Sequence, residues 1–132
     1  MTEFVVRLAN RPGMLASLTE RLAEAGVNIE ALAAYGVDGE GVVRLIVDDA
    51  TATRRCLSDA GVHAEEHQVL DAYLPHRPGE LARLARRLAD AGVNIDALYL
   101  LNSGPDGIEL AMAVNDPEAA APLVPVRGSV EA

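Results

Sequence analysis

The sequence predicts an α+β fold built from two ferredoxin-like domains, each with the element order βαββαβ. Three observations predict it: a long internal repeat, apolar residues that alternate as in strands, and an apolar helical face that occurs twice. The chain has 132 residues, and we expect domain 1 over residues 1–66 and domain 2 over residues 67–132. Each domain should have an antiparallel sheet with its helices on one face, and we expect the two sheets to join side by side.

The repeat is the strongest of these signals. Residues 10–32 read NRPGMLASLTERLAEAGVNIEAL, and residues 76–98 read HRPGELARLARRLADAGVNIDAL. The two segments are 66 positions apart, and 16 of their 23 positions are identical. Further along, the corresponding strands are 67 positions apart, which predicts one extra loop residue near Gly104–Gly107.

Hydrophobic periodicity places the elements on each copy. The first copy is predicted to hold strand 3–8, helix 12–25, strands 27–35 and 41–48, and a second helix from Asp49. The second copy is predicted to hold strand 69–74, helix 78–91, strands 93–101 and 107–115, a brief helix from Asp116, and a short strand near 126–130. Because residues 62–74 contain no Gly or Pro, the last strand of copy one should run almost directly into the first strand of copy two.

The first helix of each copy carries its own boundary signals. The residues expected on the core-facing stripes are Leu15, Leu18, Leu22 and Ala25 in copy one, and Leu81, Leu84, Leu88 and Ala91 in copy two. Pro12 and Pro78 suit the first helical position, and Gly26 and Gly92 suit the left-handed cap after the last turn.

Composition narrows the function classes. The net charge of −9 disfavours nucleic acid as a partner, since an acidic chain repels phosphates. No secretory segment opens the chain and no apolar run is long enough for a membrane span, so we expect no membrane partner and a cytoplasmic location. Cys56 is the only cysteine and cannot form an intramolecular disulfide.

Both copies carry an Arg-Pro-Gly-x-Leu turn that opens a helix, then Ala-Gly-Val-Asn-Ile about 13 residues later. In copy one this motif is followed by an alternating strand that ends in Val-Asp-Asp. This pattern resembles the ACT domain, a regulatory module of amino-acid biosynthetic enzymes such as aspartate kinases, and the resemblance covers nearly the whole chain twice. It implies amino acids bound where two domains meet. The fused enzyme domain of many relatives is absent, so the chain looks like a free-standing tandem form.

The residues of the turn suit a zwitterionic ligand. A helix start offers unpaired backbone N–H groups to a carboxylate, and Gly13 lets a ligand approach them closely. The Asn10 side chain has both donors and an acceptor, and we expect Asn28, at the start of the next strand, to lie near the same turn. The ligand-binding residues implied by the resemblance are Asn10, Arg11, Gly13, Met14, Leu15, Asn28 and Ile29, with His76, Gly79, Glu80, Leu81, Asn94 and Ile95 in copy two.

A purely structural role is the alternative for these residues. Asn-Arg-Pro-Gly is a good turn and helix start in its own right, and Asn28 and Asn94 can simply cap the turn after the helix. The two copies together with the resemblance favour ligand binding. The copy-one turn should be the better site, because Glu80 would repel a ligand carboxylate and Met14 would not.

We therefore expect a non-enzymatic protein that senses an amino acid, in the form of a homodimer and without a cofactor. The alternative is a regulatory subunit that docks on a biosynthetic enzyme, such as an acetolactate synthase-like small subunit. A small enzyme ranks last, because no nucleophile–base set is evident. We expect no metal site, since His63 and His67 lack partners with zinc-like spacing.

Overall fold

The chain divides into two compact units, residues Met1–His67 and a second unit from Gln68. A computed structural model describes residues 1–127. The α+β class and the tandem ferredoxin-like order of elements are confirmed.

The first unit contains three strands and two helices, followed by the start of a fourth strand. These elements are β1 (Thr2–Ala9), α1 (Met14–Glu24), β2 (Ile29–Val37), β3 (Glu40–Val47), α2 (Ala50–Asp59) and the beginning of β4 (Ala64–Leu74). Within the unit, β3 lies between β2 and β1, and both pairings are antiparallel. Asp49 caps α2, because its side chain accepts a hydrogen bond from the Ala52 amide at 2.9 Å.

The core of the first unit lies between the sheet and its two helices. Alternate residues of β1 and β3 point to this side, and leucines of both helices meet them. Its buried members are Phe4, Val6, Leu18, Leu22, Val27, Val43, Leu45, Val47 and Leu57. Since α1 and α2 pack into one cluster, they cover the same face of this sheet.

The second unit repeats the arrangement. Its elements are β4, α3 (Glu80–Asp90), β5 (Ile95–Gly104), β6 (Gly107–Val114), α4 (Pro117–Ala120) and a 3-10 turn at Ala121–Leu123. Here β6 lies between β4 and β5, again with antiparallel pairing. Pro125 accepts a hydrogen bond from the Tyr73 amide at 2.9 Å, so the chain after α4 returns to β4. The predicted strand near 126–130 extends beyond the described residues.

The expected close succession of two strands is realised as one strand. β4 runs without a break from Ala64 to Leu74, and the division between the units falls inside it. The absence of Gly and Pro in this stretch explains why nothing interrupts its extended backbone.

The extra residue of the second copy is not in the hairpin turn, so that prediction is wrong. Both hairpins have two-residue turns, at 38–39 and 105–106. The pairing of β5 with β6 shifts between Leu100 and Asn102, which leaves Leu101 as a bulge. A bulge absorbs one residue without lengthening the turn.

The first turn of α1 also differs from expectation. The helix begins at Met14, after Gly13 with a left-handed φ of 87°, so Pro12 precedes the helix and does not occupy its first position. Leu15 is 42% exposed and Leu81 39% exposed, whereas Leu18, Leu22, Leu84 and Leu88 are buried. The stripe therefore reaches the core only through these four leucines. Ala25 and Ala91, also predicted on it, follow the helices at their C-caps and are exposed. Gly26 and Gly92 do adopt the predicted left-handed caps, with φ of 74° and 76°.

Candidate functional site

The β1–α1 turn, residues 10–13, has a helix start without a side-chain cap. Gly13 occupies the capping position, and it has no side chain that could accept a hydrogen bond from the first amides of α1. An α-helix leaves its first N–H groups without intrahelical partners, and its dipole makes this end positive. The turn therefore presents donors suited to a carboxylate.

A cavity of about 260 Å³ lies against this turn, entirely within the first unit. We call it the β1–α1 cavity. It is lined by Leu8, Ala9, Asn10, Arg11, Met14, Leu15, Ala34, Tyr35, Gly36, Gly41, Val42 and Val43. A second cavity of about 310 Å³ shares Leu8, Ala9 and Met14 with it. The flexible thioether side chain of Met14 thus borders both spaces.

Two glycines make room for Asn10 at the end of the sheet. Gly36 and Gly41 pair across β2 and β3, on the helix-facing side that Leu8 shares. A Cβ atom at position 36 would lie 2.6 Å from Asn10 Nδ2, so the Asn10 amide occupies the space that any other side chain would need. From the sequence alone these glycines indicated only a hairpin, although pairing the strands about the Asp38-Gly39 turn would have placed them together.

Arg11 brings a positive charge to the same cavity. Its counterpart in the second unit, Arg77, donates to Glu80 Oε1 at 3.0 Å. In the first unit Met14 stands where Glu80 would be, and within residues 1–127 Arg11 forms no ion pair. A guanidinium with no carboxylate partner in the fold can pair with a ligand carboxylate.

The corresponding turn of the second unit is occupied by its own side chains. Glu80 Oε1 accepts hydrogen bonds from Arg77 and from Arg83, the latter at 2.9 Å. His76 Nε2 lies 3.4 Å from Ser103 Oγ, and Ser103 pairs with Ile108 as Gly36 pairs with Gly41. Gly79 is left-handed like Gly13, with φ of 90°, and Leu81 follows it. The two turns thus share a backbone but differ in the side chains that a ligand would meet.

The expectation that Asn28 lies near the β1–α1 turn is wrong within the unit. The Asn28 amide donates to Asp48 Oδ1 at 2.9 Å, beyond the end of β3 that pairs with Thr2. Asn10 follows the other end of β1, roughly 25 Å away at about 3.3 Å per strand residue. Because α1 reverses the chain direction, β2 starts where β1 starts, and Ile29 lies there too.

The second unit places its pair in the same way. Asn94 donates through its backbone amide to Asn115 Oδ1 at 2.9 Å and through Nδ2 to Asp96 Oδ1 at 2.7 Å. Asn94 and Ile95 therefore lie at the end of β6 opposite to the turn that holds His76. The two hydrogen bonds of Asn94 fix the backbone at the start of β5, which is a structural role.

Sequence reasoning missed a polar cluster on the second unit. Tyr73 Oη donates to Glu109 Oε2 at 2.6 Å, and the Arg127 guanidinium lies 4.9 Å from the centre of the Tyr73 ring. These three residues line a cavity of about 320 Å³. Asp71 lies on the same strand face, and burial, followed by the charge of Glu109, raises its pKa. Only the pairing of β4 with β6 brings these groups together, so no local motif signals them.

Within residues 1–127, no three His, Cys, Asp or Glu side chains gather as a metal site would require. The described helices include none with the length and apolarity needed to cross a bilayer.

Solved structures share this fold along most of the chain. A protein from Bacteroides thetaiotaomicron matches with a TM-score of 0.81 and 24% identity, over 92% of this chain and 84% of that one. The ligand-free regulatory subunit of aspartate kinase from Thermus thermophilus matches with a TM-score of 0.67 and 17% identity, over 93% and 87%. The regulatory subunit from Thermus flavus gives 0.62 and 17%, over 92% and 88%.

No curated protein matches the sequence significantly. The family model described as an ACT domain pair matches residues 1–126. Since this match spans both units, with their repeated turn and ferredoxin-like order, the chain belongs to the ACT domain pair family.

Proposed function

We propose that this protein is a non-enzymatic regulatory protein that binds a free amino acid at the β1–α1 turn of its first unit. One observation carries the proposal: a single cavity brings together a helix start without a side-chain cap, the Asn10 amide and the Arg11 guanidinium, which has no ion-pair partner within residues 1–127. Each of these groups matches one part of a zwitterion.

The chemistry of recognition follows from these donors and acceptors. The ligand carboxylate would accept hydrogen bonds from Arg11 and from the first amides of α1, while Asn10 Oδ1 would accept one from the ligand ammonium. The second unit holds Glu80 at the matching place, where its carboxylate already pairs with Arg77 and Arg83 and so takes the position of a ligand carboxylate. Binding at the first unit is therefore favoured.

Regulation would work by population shift. A ligand that binds one arrangement of the protein more tightly raises the population of that arrangement and changes the surface offered to a partner. Membership of the ACT domain pair family supports a regulatory role over a catalytic one. We propose a homodimer as the working form.

A thermal-shift screen of the twenty proteinogenic amino acids at millimolar concentration tests the proposal. A ligand that binds only the folded state must raise the melting temperature. At least one amino acid should do so, and Asn10→Ala should remove the shift. If no amino acid raises the melting temperature or produces heat in calorimetry, the sensor proposal is wrong.

A second candidate is a regulatory subunit that docks on a biosynthetic enzyme, with or without a ligand. The fold shared with aspartate kinase regulatory subunits favours it. Co-purification of a tagged chain from its native cells would distinguish the two, since a subunit brings one enzyme with it in fixed ratio and a free sensor does not.

A further inference from the structure

We propose that the amino acid bound at the β1–α1 turn carries an aliphatic side chain, which occupies the β1–α1 cavity. This inference rests on the proposed function and adds the chemical class of the ligand. It is carried by the walls of the cavity and by the contrast with the second unit.

The walls away from Asn10 and Arg11 are apolar. Among residues 1–127, no acidic residue lines the cavity, and Arg11 is the only charged residue that does. A basic ligand side chain would find no carboxylate there, and an acidic one would compete with the ligand's own carboxylate for Arg11. The side chains of Leu8, Met14 and Val43 instead offer apolar contacts.

One wall of the cavity is a glycine where copy two has a large apolar residue. Gly41 pairs with Leu8 and with Gly36 in the first unit. Its counterpart, Ile108, packs against the core of the second unit. Both units fold with the same order of elements, so the fold does not need this space. The space therefore needs another explanation, and an apolar ligand group supplies one.

The exposure of Leu15 supports the same conclusion. Leu15 is 42% exposed, although it lines the cavity. An aliphatic group against it would remove apolar surface from water, which is favourable. The volume of about 260 Å³ is just below the range typical of drug-sized ligands, as a single amino acid requires.

Matched pairs of amino acids test this class directly on the full chain. Valine and threonine have the same shape, but threonine places a hydroxyl where valine has a methyl. An apolar wall rejects such a hydroxyl by about 10- to 100-fold in affinity. Titration calorimetry should show valine tighter than threonine and leucine tighter than asparagine, each by about this factor.

A variant that fills the cavity tests its location. Gly41→Ile introduces the residue that copy two carries, and a Cβ atom at position 41 would meet only ordinary contacts at 3.7 Å and 4.0 Å. This variant should weaken leucine binding at least tenfold. Ala23→Leu, on the exposed side of α1, is the control and should leave binding unchanged.

The outcomes separate this inference from the proposed function. If a polar, charged or aromatic amino acid binds tightest, the aliphatic class is wrong while the sensor proposal stands. If a folded Gly41→Ile variant binds leucine as well as the wild type does, the side chain lies elsewhere. If no amino acid binds at all, the proposed function itself fails. The matched-pair titrations need no variant, so they decide the class even if Gly41→Ile fails to fold.

Discussion

At the residue scale, one position separates the two turns most clearly. Among the described residues, Arg11 has no ion-pair partner beside Met14, whereas Glu80 pairs with both Arg77 and Arg83. The sequence predicted this difference in charge, since it needed only the alignment of the two copies. It did not predict that two arginines would bind the Glu80 carboxylate. Arg83 stands where copy one has a serine, and only the geometry of the helix shows that its side chain reaches Glu80.

The carboxyl group of Asp71 should destabilise the fold at neutral pH. Its Oδ1 atom is buried and accepts no hydrogen bond within the described residues, and its pKa is raised by burial and by Glu109. A group with a raised folded-state pKa binds a proton more readily in the folded state. Stability should therefore increase as the pH falls through that pKa.

Asp71→Asn should for this reason raise the melting temperature at pH 7 and flatten its dependence on pH between about 4 and 7. Asp59→Asn is the control, because it removes the same charge from an exposed position at the end of α2, in the other unit. Thermal melts across this pH range measure both variants. A lower melting temperature for Asp71→Asn at pH 7 would show that the carboxylate is stabilising.

At the element scale, helices and strands followed their predicted order as far as α4, with boundaries within about three residues except at β4, where two predicted strands form one. Local signals explain this success: alternation marks strands, a 3.6-residue period marks helices, and glycines mark the caps. The exposed Leu15 was not predictable in this way, because periodicity marks an apolar stripe without showing whether anything covers its end. The position of Asn28 was predictable. A helix between two strands carries the chain back to the end of the sheet at which the first strand began, so β2 starts at the same end as β1.

Left-handed glycines fix the entry to both repeated helices. Gly13 and Gly79 have φ near 90°, and added Cβ atoms would meet nothing closer than 3.9 Å. Replacing either by alanine should therefore cost stability through backbone conformation alone, by about 1 kcal/mol.

Chemical denaturation of Gly13→Ala and Gly79→Ala measures this cost. Gly104→Ala is the control, because a Cβ atom there meets nothing within 4 Å and the backbone is not left-handed. Equal stability of all three variants would contradict the assigned role of the left-handed backbone.

At the scale of the whole molecule, the division into two units is the main feature that the repeat predicted. The strand β4 runs continuously across the division between the units. A cut after residue 66 severs this strand, so it should lower the stability of the first unit. A domain of about 66 residues buries only about 60% of the surface of its unfolded chain. Residues 1–66 alone should therefore be aggregated, loosely folded or dimeric.

Size-exclusion chromatography and thermal melts of this fragment, beside the full chain, measure the prediction. The full chain should melt cooperatively, and the fragment should melt broadly or at a clearly lower temperature. A monomeric fragment with a sharp transition would show that the first unit is stable by itself.

The central claim is that the β1–α1 turn of the first unit binds an amino acid and that its counterpart does so less well. Calorimetry of Asn10→Ala and His76→Ala tests it most directly, using the amino acid that gives the largest thermal shift and after both variants are shown to fold. Asn10→Ala should weaken binding by roughly 10- to 100-fold, the worth of about 1.5–3 kcal/mol for a hydrogen bond to a charged group. His76→Ala should leave the affinity within about twofold of the wild type. Loss of binding in His76→Ala with full binding in Asn10→Ala would contradict the account, and equal loss in both would contradict the inequality of the two turns.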